Sequence, residues 1–174
     1  MVGLWDDIRH LSAKVRFLVQ TVLAGLLLLV LGQLPALSLF GLHVDGWPLM
    51  LLLLIAGVWT INLFNFMDGI DGLAASEAVV VSIIGGILAL TLGNMPVALL
   101  AFGVSLSVAG FLIWNWPPAK IFMGDVGSGF LGFVFAVLAI WSGKSGAVPL
   151  LIWLLLLGVF IVDATVTLVK RVAR

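Results

Sequence analysis

Between two long apolar runs lies the segment NLFNFMDGIDGLA (Asn62–Ala74), in which Asn62, Asn65, Asp68 and Asp71 recur every third residue, with Gly69 and Gly72 directly after the two aspartates. Ionisable groups beside hydrocarbon-compatible sequence mark a functional site by default. Residues three apart share a helix face, so a helical stretch would bring the four polar groups to one point. Two further segments carry the same chemistry. PPAKIFMGDVGSG (Pro117–Gly129) places Asp125 and Ser128 among Gly124, Gly127 and Gly129, leaving the backbone open to a phosphate or metal near a helix start. GLWDDIRHLSAKVRF (Gly3–Phe17) carries the adjacent carboxylates Asp6 and Asp7. With no cysteine and only His10 and His43, each solitary, the sequence offers no zinc spacing. Its carboxylates and amides instead suit a hard divalent cation such as Mg2+, which binds through one or two carboxylates plus substrate phosphates.

Each group also has a plainer reading. Asp6 and Asp7 before Ile8 could cap a helix, although one acid suffices and two adjacent ones repel. Gly129 and Gly132 are expected to serve close helix packing. Asp163, about two turns before Lys170 and Arg171, could pair with a lysine. Most of the seven tryptophans fall near span ends and act as interfacial anchors, whereas Trp59 and Trp153 lie within spans and are expected to pack.

The elements that must position these residues are membrane spans. Hydrophobic residues make up 63% of the 174 and charged ones 9%, with a mean hydropathy of +1.32, far outside the range of globular proteins. Five apolar runs separate the charged residues, and Gly93, Asn94, Met95 and Pro96 break the longest with turn chemistry. Six spans result: Phe17–Leu34, Trp47–Asn65, Glu77–Leu92, Pro96–Trp116, Ser128–Trp141 and Val148–Val169. The fifth is the shortest against a core of ~30 Å. The predicted fold is therefore all-α and polytopic, with about six transmembrane helices and polar loops at one face.

Six spans put both termini on one side. Arg9, Lys14, Arg16, Lys120, Lys170, Arg171 and Arg174 fall there and Lys144 falls opposite, which makes the terminal side cytoplasmic. The same sorting gathers Asp6, Asp7, Asp68, Asp71, Glu77, Asp125 and Asp163 at the cytoplasmic face and leaves Asp45 outside. No cleavable signal peptide, internal repeat or low-complexity tract is evident.

Taken in order, the three polar segments resemble those of the polyprenyl-phosphate N-acetylhexosamine-1-phosphate transferases, the superfamily of glycosyltransferase family 4. GLWDDIRHLSAKVRF is similar to its paired-aspartate segment, NLFNFMDGIDGLA to its N-x-x-N-x-x-D-G-x-D-G-L-A motif, and PPAKIFMGDVGS to its P-A-x-x-F-x-G-D-x-G-S motif. The ending DATVTLVKRV looks more like the O-antigen and teichoic-type initiating enzymes than the muramoyl-pentapeptide enzyme.

The resemblance implies transfer of a sugar-1-phosphate from a UDP-N-acetylhexosamine to undecaprenyl phosphate, with UMP released and Mg2+ required, Mn2+ being a substitute. It implies a bacterial plasma-membrane protein, with membrane lipid and no nucleic acid as partner, that starts a cell-envelope polysaccharide such as the lipopolysaccharide O-antigen. By resemblance, Asp125 and Asn65 would ligate the metal, and Asp6 would act on the lipid phosphate with Asp7 supporting it. Asp68, Asp71, Asn115 and the Phe122 ring would form the uridine and sugar-phosphate pocket, with Gly69, Ser128 and Asp163 in support. Proton removal by Asp6 and covalent attack by an aspartate both remain open, and direct attack by the already anionic lipid phosphate is favoured because it needs positioning more than activation.

Family members carry further spans before the paired aspartates and a His-x-His-type loop after the last span, so residues 1–174 are expected to be a single transmembrane domain from within a longer transferase. A fragment of this kind is expected to keep the fold core without turnover. Two rival readings are a transporter and a non-catalytic membrane subunit. Transporters place coupling residues near the midplane and often show repeated halves, whereas these acids gather at one interface.

Overall fold

The computed structural model describes residues 12–32, 34, 37–39 and 42–173. Its elements, in chain order, are α1 (Ala13–Leu31), a hairpin of β1 (Leu37–Leu39) and β2 (Leu42–Val44), α2 (Gly46–Met67), α3 (Leu73–Thr91), α4 (Met95–Asn115), α5 (Gly124–Lys144), α6 (Leu150–Leu156) and α7 (Gly158–Val172). The helices α1 to α5 are each long and apolar enough to cross a membrane, and α6 with α7 forms a bent sixth candidate. A helix satisfies its own backbone, which is why such sequence folds this way in lipid.

Local chemistry sets the helix starts. The Ser12 hydroxyl accepts from the Val15 N–H at the head of α1. Asn94 accepts from the Val97 N–H at 3.1 Å, and Pro96 occupies the first turn of α4. That break falls where Gly93 to Pro96 predict it. The hairpin, unanticipated from sequence, pairs Leu37 with Val44 and Leu39 with Leu42 in the α1–α2 connection.

Small residues fix how closely the spans approach. A Cβ on Gly132 of α5 would lie 2.5 Å from the Ile61 Cα and 2.7 Å from the Thr60 carbonyl oxygen, so α2 and α5 pack backbone to backbone. Gly57 of α2 faces Ala24 of α1 and Ala136 of α5. On α3, Gly85 makes room for the Trp153 ring and Gly86 for Phe102 of α4. Gly129 meets no neighbour at its Cβ position, so the packing expectation holds for Gly132 and fails for Gly129.

The main core draws on every helix from α2 to α7, and an aromatic cluster lies within it where α2, α5 and α7 meet. Phe64 stacks on Phe135 with ring centroids 5.0 Å apart and takes Phe160 edge-on at 5.5 Å. Trp153 packs as expected, fully buried and donating its indole N–H to the Ser142 hydroxyl at 2.6 Å, whereas Trp59 does not enter the core and is 42% exposed on α2. The polar tip of Trp153 thus has a partner inside the bundle.

Two spans differ from expectation. The fifth is longer than predicted, 21 residues, because the glycine-rich Gly124–Gly129 is helical and forms the first turns of α5 and because the helix runs on past Trp141 to Lys144. The sixth is broken by 65° between α6 and α7. Its halves answer to different neighbours, Trp153 seated against α3 and Phe160 against Phe64 of α2, and Gly158 at the joint is a poor helix former.

Candidate active site at the α2 and α5 ends

Alternating direction brings the start of α1, the end of α2 and the start of α5 together, and their side chains meet around Asp125. Close packing at Gly132 holds α2 and α5 in register, so Asn65 near the end of α2 faces Asp125 in the first turn of α5. The Asn65 amide donates to Asp125 Oδ1 at 2.5 Å and to Ser128 Oγ at 3.1 Å, and the Ser128 hydroxyl donates to the Gly124 carbonyl at 2.9 Å. From α1, the Arg16 guanidinium lies 3.2 Å from Asp125 Oδ2.

Asp68, just past the end of α2, completes the cluster. The Gly124 N–H hydrogen-bonds its carboxylate, and Asp125 lies close enough to repel it. Burial pushes the Asp68 carboxyl up to about 6; the Gly124 hydrogen bond works against that rise and the Asp125 charge adds to it. Two acids thus share one end of α5, where the exposed backbone N–H groups favour negative charge.

A second set of contacts braces this site. Gly72, at φ +73, turns the chain into α3 and donates its N–H to Asn115 Oδ1 at 3.0 Å. The Asn115 amide nitrogen donates in turn to the Ile121 carbonyl at 2.9 Å, and Asp71 Oδ2 accepts from the Ala119 N–H at 2.9 Å. The loop at 116–123 is therefore clamped to the turn at 68–72. Lys120 lies over the Trp114 ring, 5.4 Å from its centroid.

These contacts sort the sequence-derived residues. Asn65, Asp68, Asp125 and Ser128 come together. Asp71 and Asn115 lie beside them but hold backbone, and Asn115 is only 4% exposed with both ends of its amide engaged. Phe122 projects from the clamped loop, 76% exposed, with its ring open to stacking. Gly69 is exposed in the turn, and Asp163 lies exposed on α7 with no hydrogen bond or ion pair to the cluster among the described residues. Asp6 and Asp7 lie outside the described residues.

The four polar groups of Asn62–Asp71 do not converge: α2 ends at Met67, which takes Asp71 off the face, and Asn62, more than a turn inside α2, is taken up by other partners. Asn62 instead donates to Gln20 Oε1 at 2.7 Å and to the Val58 carbonyl at 2.8 Å. The sequence alone gives Arg16 a part only in orientation. The signal that could have singled it out is its place at the start of α1, where the helix dipole disfavours a cation that lacks a compensating acid.

The donor set fits a hard cation. Asp68 and Asp125 are carboxylates repelling one another, with the Ser128 hydroxyl and the Asn65 amide alongside. Among the described residues no three His, Cys, Asp or Glu side chains form a closed cage. Two carboxylates with positions left for phosphate oxygens are how Mg2+ is usually held.

A multi-span helical membrane protein with an acid and amide cluster at one face is the class defined so far. The glycosyl transferase family 4 model matches residues 1–143, and the chain belongs to that family. It is 35% identical over 181 residues to a Bacillus subtilis protein named "Probable undecaprenyl-phosphate N-acetylglucosaminyl 1-phosphate transferase", covering 99% of this chain and 49% of that one. It is also 40% identical over 129 residues to the phospho-N-acetylmuramoyl-pentapeptide-transferase of Moorella thermoacetica, covering 74% and 41%, and 33% identical over 169 residues to that of Listeria monocytogenes, covering 93% and 50%. The chain spans about half the length of the curated relatives it matches.

Proposed function

We propose that this chain carries the catalytic face of a transferase that moves an N-acetylhexosamine-1-phosphate from its UDP-sugar to undecaprenyl phosphate, starting a cell-envelope polysaccharide at the cytoplasmic side of a bacterial plasma membrane. The observation that carries the reading is the meeting of Asn65, Asp68, Asp125, Ser128 and Arg16 at one end of the bundle. Lys14, Arg16, Lys120, Lys170 and Arg171 lie at the same end, in support of a cytoplasmic site.

In the proposed reaction an oxygen of the lipid phosphate attacks the β-phosphorus of the UDP-sugar, and the bond to the α-phosphate oxygen breaks to release UMP. Asp125, Asp68 and Asn65 would hold Mg2+, which supplies charge neutralisation on the diphosphate. The α5 start would turn its N–H groups toward the phosphates. Phe122 would stack on the uracil, while Asp71 and Asn115 would keep the loop that carries it in place. Asp6 and Asp7 would orient the lipid phosphate, whose hydrocarbon tail stays in the bilayer beside the spans.

Membranes carrying the chain, given UDP-N-acetylglucosamine and undecaprenyl phosphate, test this. UMP release, or binding of the UDP-sugar, that requires Mg2+ and is lost in Asp125→Asn is the expected result. The absence of both UMP release and Mg2+-dependent binding in the unsubstituted chain would overturn it.

A further inference from the structure

Both oxygens of Asp125 are engaged by partners from other helices, Oδ1 by the Asn65 amide and Oδ2 by the Arg16 guanidinium. The two contacts differ in kind. Asn65 is neutral and comes from the helix packed backbone to backbone on α5, whereas Arg16 brings a full charge on a long side chain from α1. The ion pair is also partly open to solvent, with side-chain exposures of 39% for Arg16 and 34% for Asp125. A pair this exposed is weak and can part without burying a bare charge.

We propose that Arg16 and a divalent cation exchange on Asp125. Arg16 is the resident counter-cation of Asp125, whose neighbour is Asp68; when the metal takes Asp125, the guanidinium turns to a phosphoryl oxygen of the bound diphosphate. This rests on Asp125 being a metal ligand in the proposed function. The physical logic is charge balance, since two neighbouring carboxylates need a cation and a guanidinium displaced from one of them needs an anion. A diphosphate supplies that anion, and the planar fork of arginine fits carboxylate and phosphate alike. Metal and diphosphate binding are then coupled, each favouring the other by the same factor.

The test uses the full chain in lipid nanodiscs with Mn2+ alone, followed by electron paramagnetic resonance, and then with inorganic pyrophosphate at saturating Mn2+. With its competitor gone, Arg16→Gln is expected to bind Mn2+ about twofold to fivefold tighter, and Arg16→Lys, which keeps the charge, to stay near the unsubstituted chain. Both variants are expected to bind pyrophosphate about tenfold more weakly once Mn2+ is present. Should Arg16→Gln fail to fold, the pyrophosphate affinity of Arg16→Lys decides. Mn2+ binding by Arg16→Gln that is unchanged or weaker, or pyrophosphate binding indifferent to both substitutions, overturns the exchange. If Asp125→Asn loses Mn2+ in the same series, the metal reading of Asp125 survives that failure. If Asp125→Asn binds Mn2+ as well as the unsubstituted chain, both fall.

Discussion

Asn65 and Asp125, sixty residues apart in the chain, are joined side chain to side chain across the α2–α5 contact. That bond depends on how near the two helices come, and the nearness depends on Gly132, whose missing side chain admits the backbone at Ile61. Chemistry at the membrane face is thereby tied to packing within the bundle.

A side chain at position 132 should separate the helices. Gly132→Val is expected to destabilise the protein by about 1–3 kcal/mol, the usual cost of overpacking. Gly129→Ala, where the space is open, should stay within about 0.5 kcal/mol. Thermal midpoints in nanodiscs compare the two, and equal losses would show that the α2–α5 approach does not set stability.

Asn115 is expected to act through the loops it joins. Asn115→Ala leaves the Gly72 N–H and the Ile121 carbonyl without their partner, at a cost of about 2 kcal/mol or more. Hydrogen exchange should accelerate at Gly72 and across 116–123. Unchanged protection there would mean that the clamp is held by Asp71 alone.

Phe122 should behave in the opposite way. Its exposed ring contributes little to the core, so Phe122→Ala is expected to leave the melting temperature alone. UDP binding should weaken about tenfold, the scale of one lost base-stacking contact. Calorimetric titration with UDP checks this, and undiminished affinity would remove Phe122 from the uridine pocket.

Asp68 gives the pH dependence. Its folded-state carboxyl is raised from 3.8 to about 6, so the native state holds more protons than the unfolded chain between those values. Its stabilising contribution is fully present below about 3.8 and is lost as pH rises through about 6. Asp68→Asn should remove that decline and, with the half-exposed position discounted for solvent screening, gain about 1 kcal/mol at pH 7. Thermal melts of both chains in EDTA at pH 5 and pH 7 measure the difference, which should be greater at pH 7. A gap that shrinks as pH rises would contradict the assignment.

The spans were legible because apolar length and charge segregation are properties of the chain read one residue at a time. The Gly93–Pro96 break and the gathering of acids at one face follow from the same reading. What sequence could not convey was direction at the ends of elements. Asn62 and Asp71 share the spacing of Asn65 and Asp68, yet Asn62 reaches Gln20 of the neighbouring α1, and the end of α2 at Met67 sends Asp71 to the Ala119 amide. Gly124–Gly129 has loop composition but is helical once packed, which lengthens α5 and puts Asp125 at its head. The bend at Gly158 arises because Trp153 and Phe160 seat on different helices, a tertiary preference that local hydropathy does not carry. Arg16 meets Asp125 across 109 positions, and only the bundle brings them together.

The central claim is that Asp125 anchors a metal and diphosphate site, and UDP affinity with and without Mg2+ tests it most directly. The unsubstituted chain should bind UDP at least about tenfold tighter in Mg2+ than in EDTA, a difference of about 1.4 kcal/mol. Asp125→Asn should bind equally in both. An Asp125→Asn chain that keeps the full Mg2+ dependence would contradict the account.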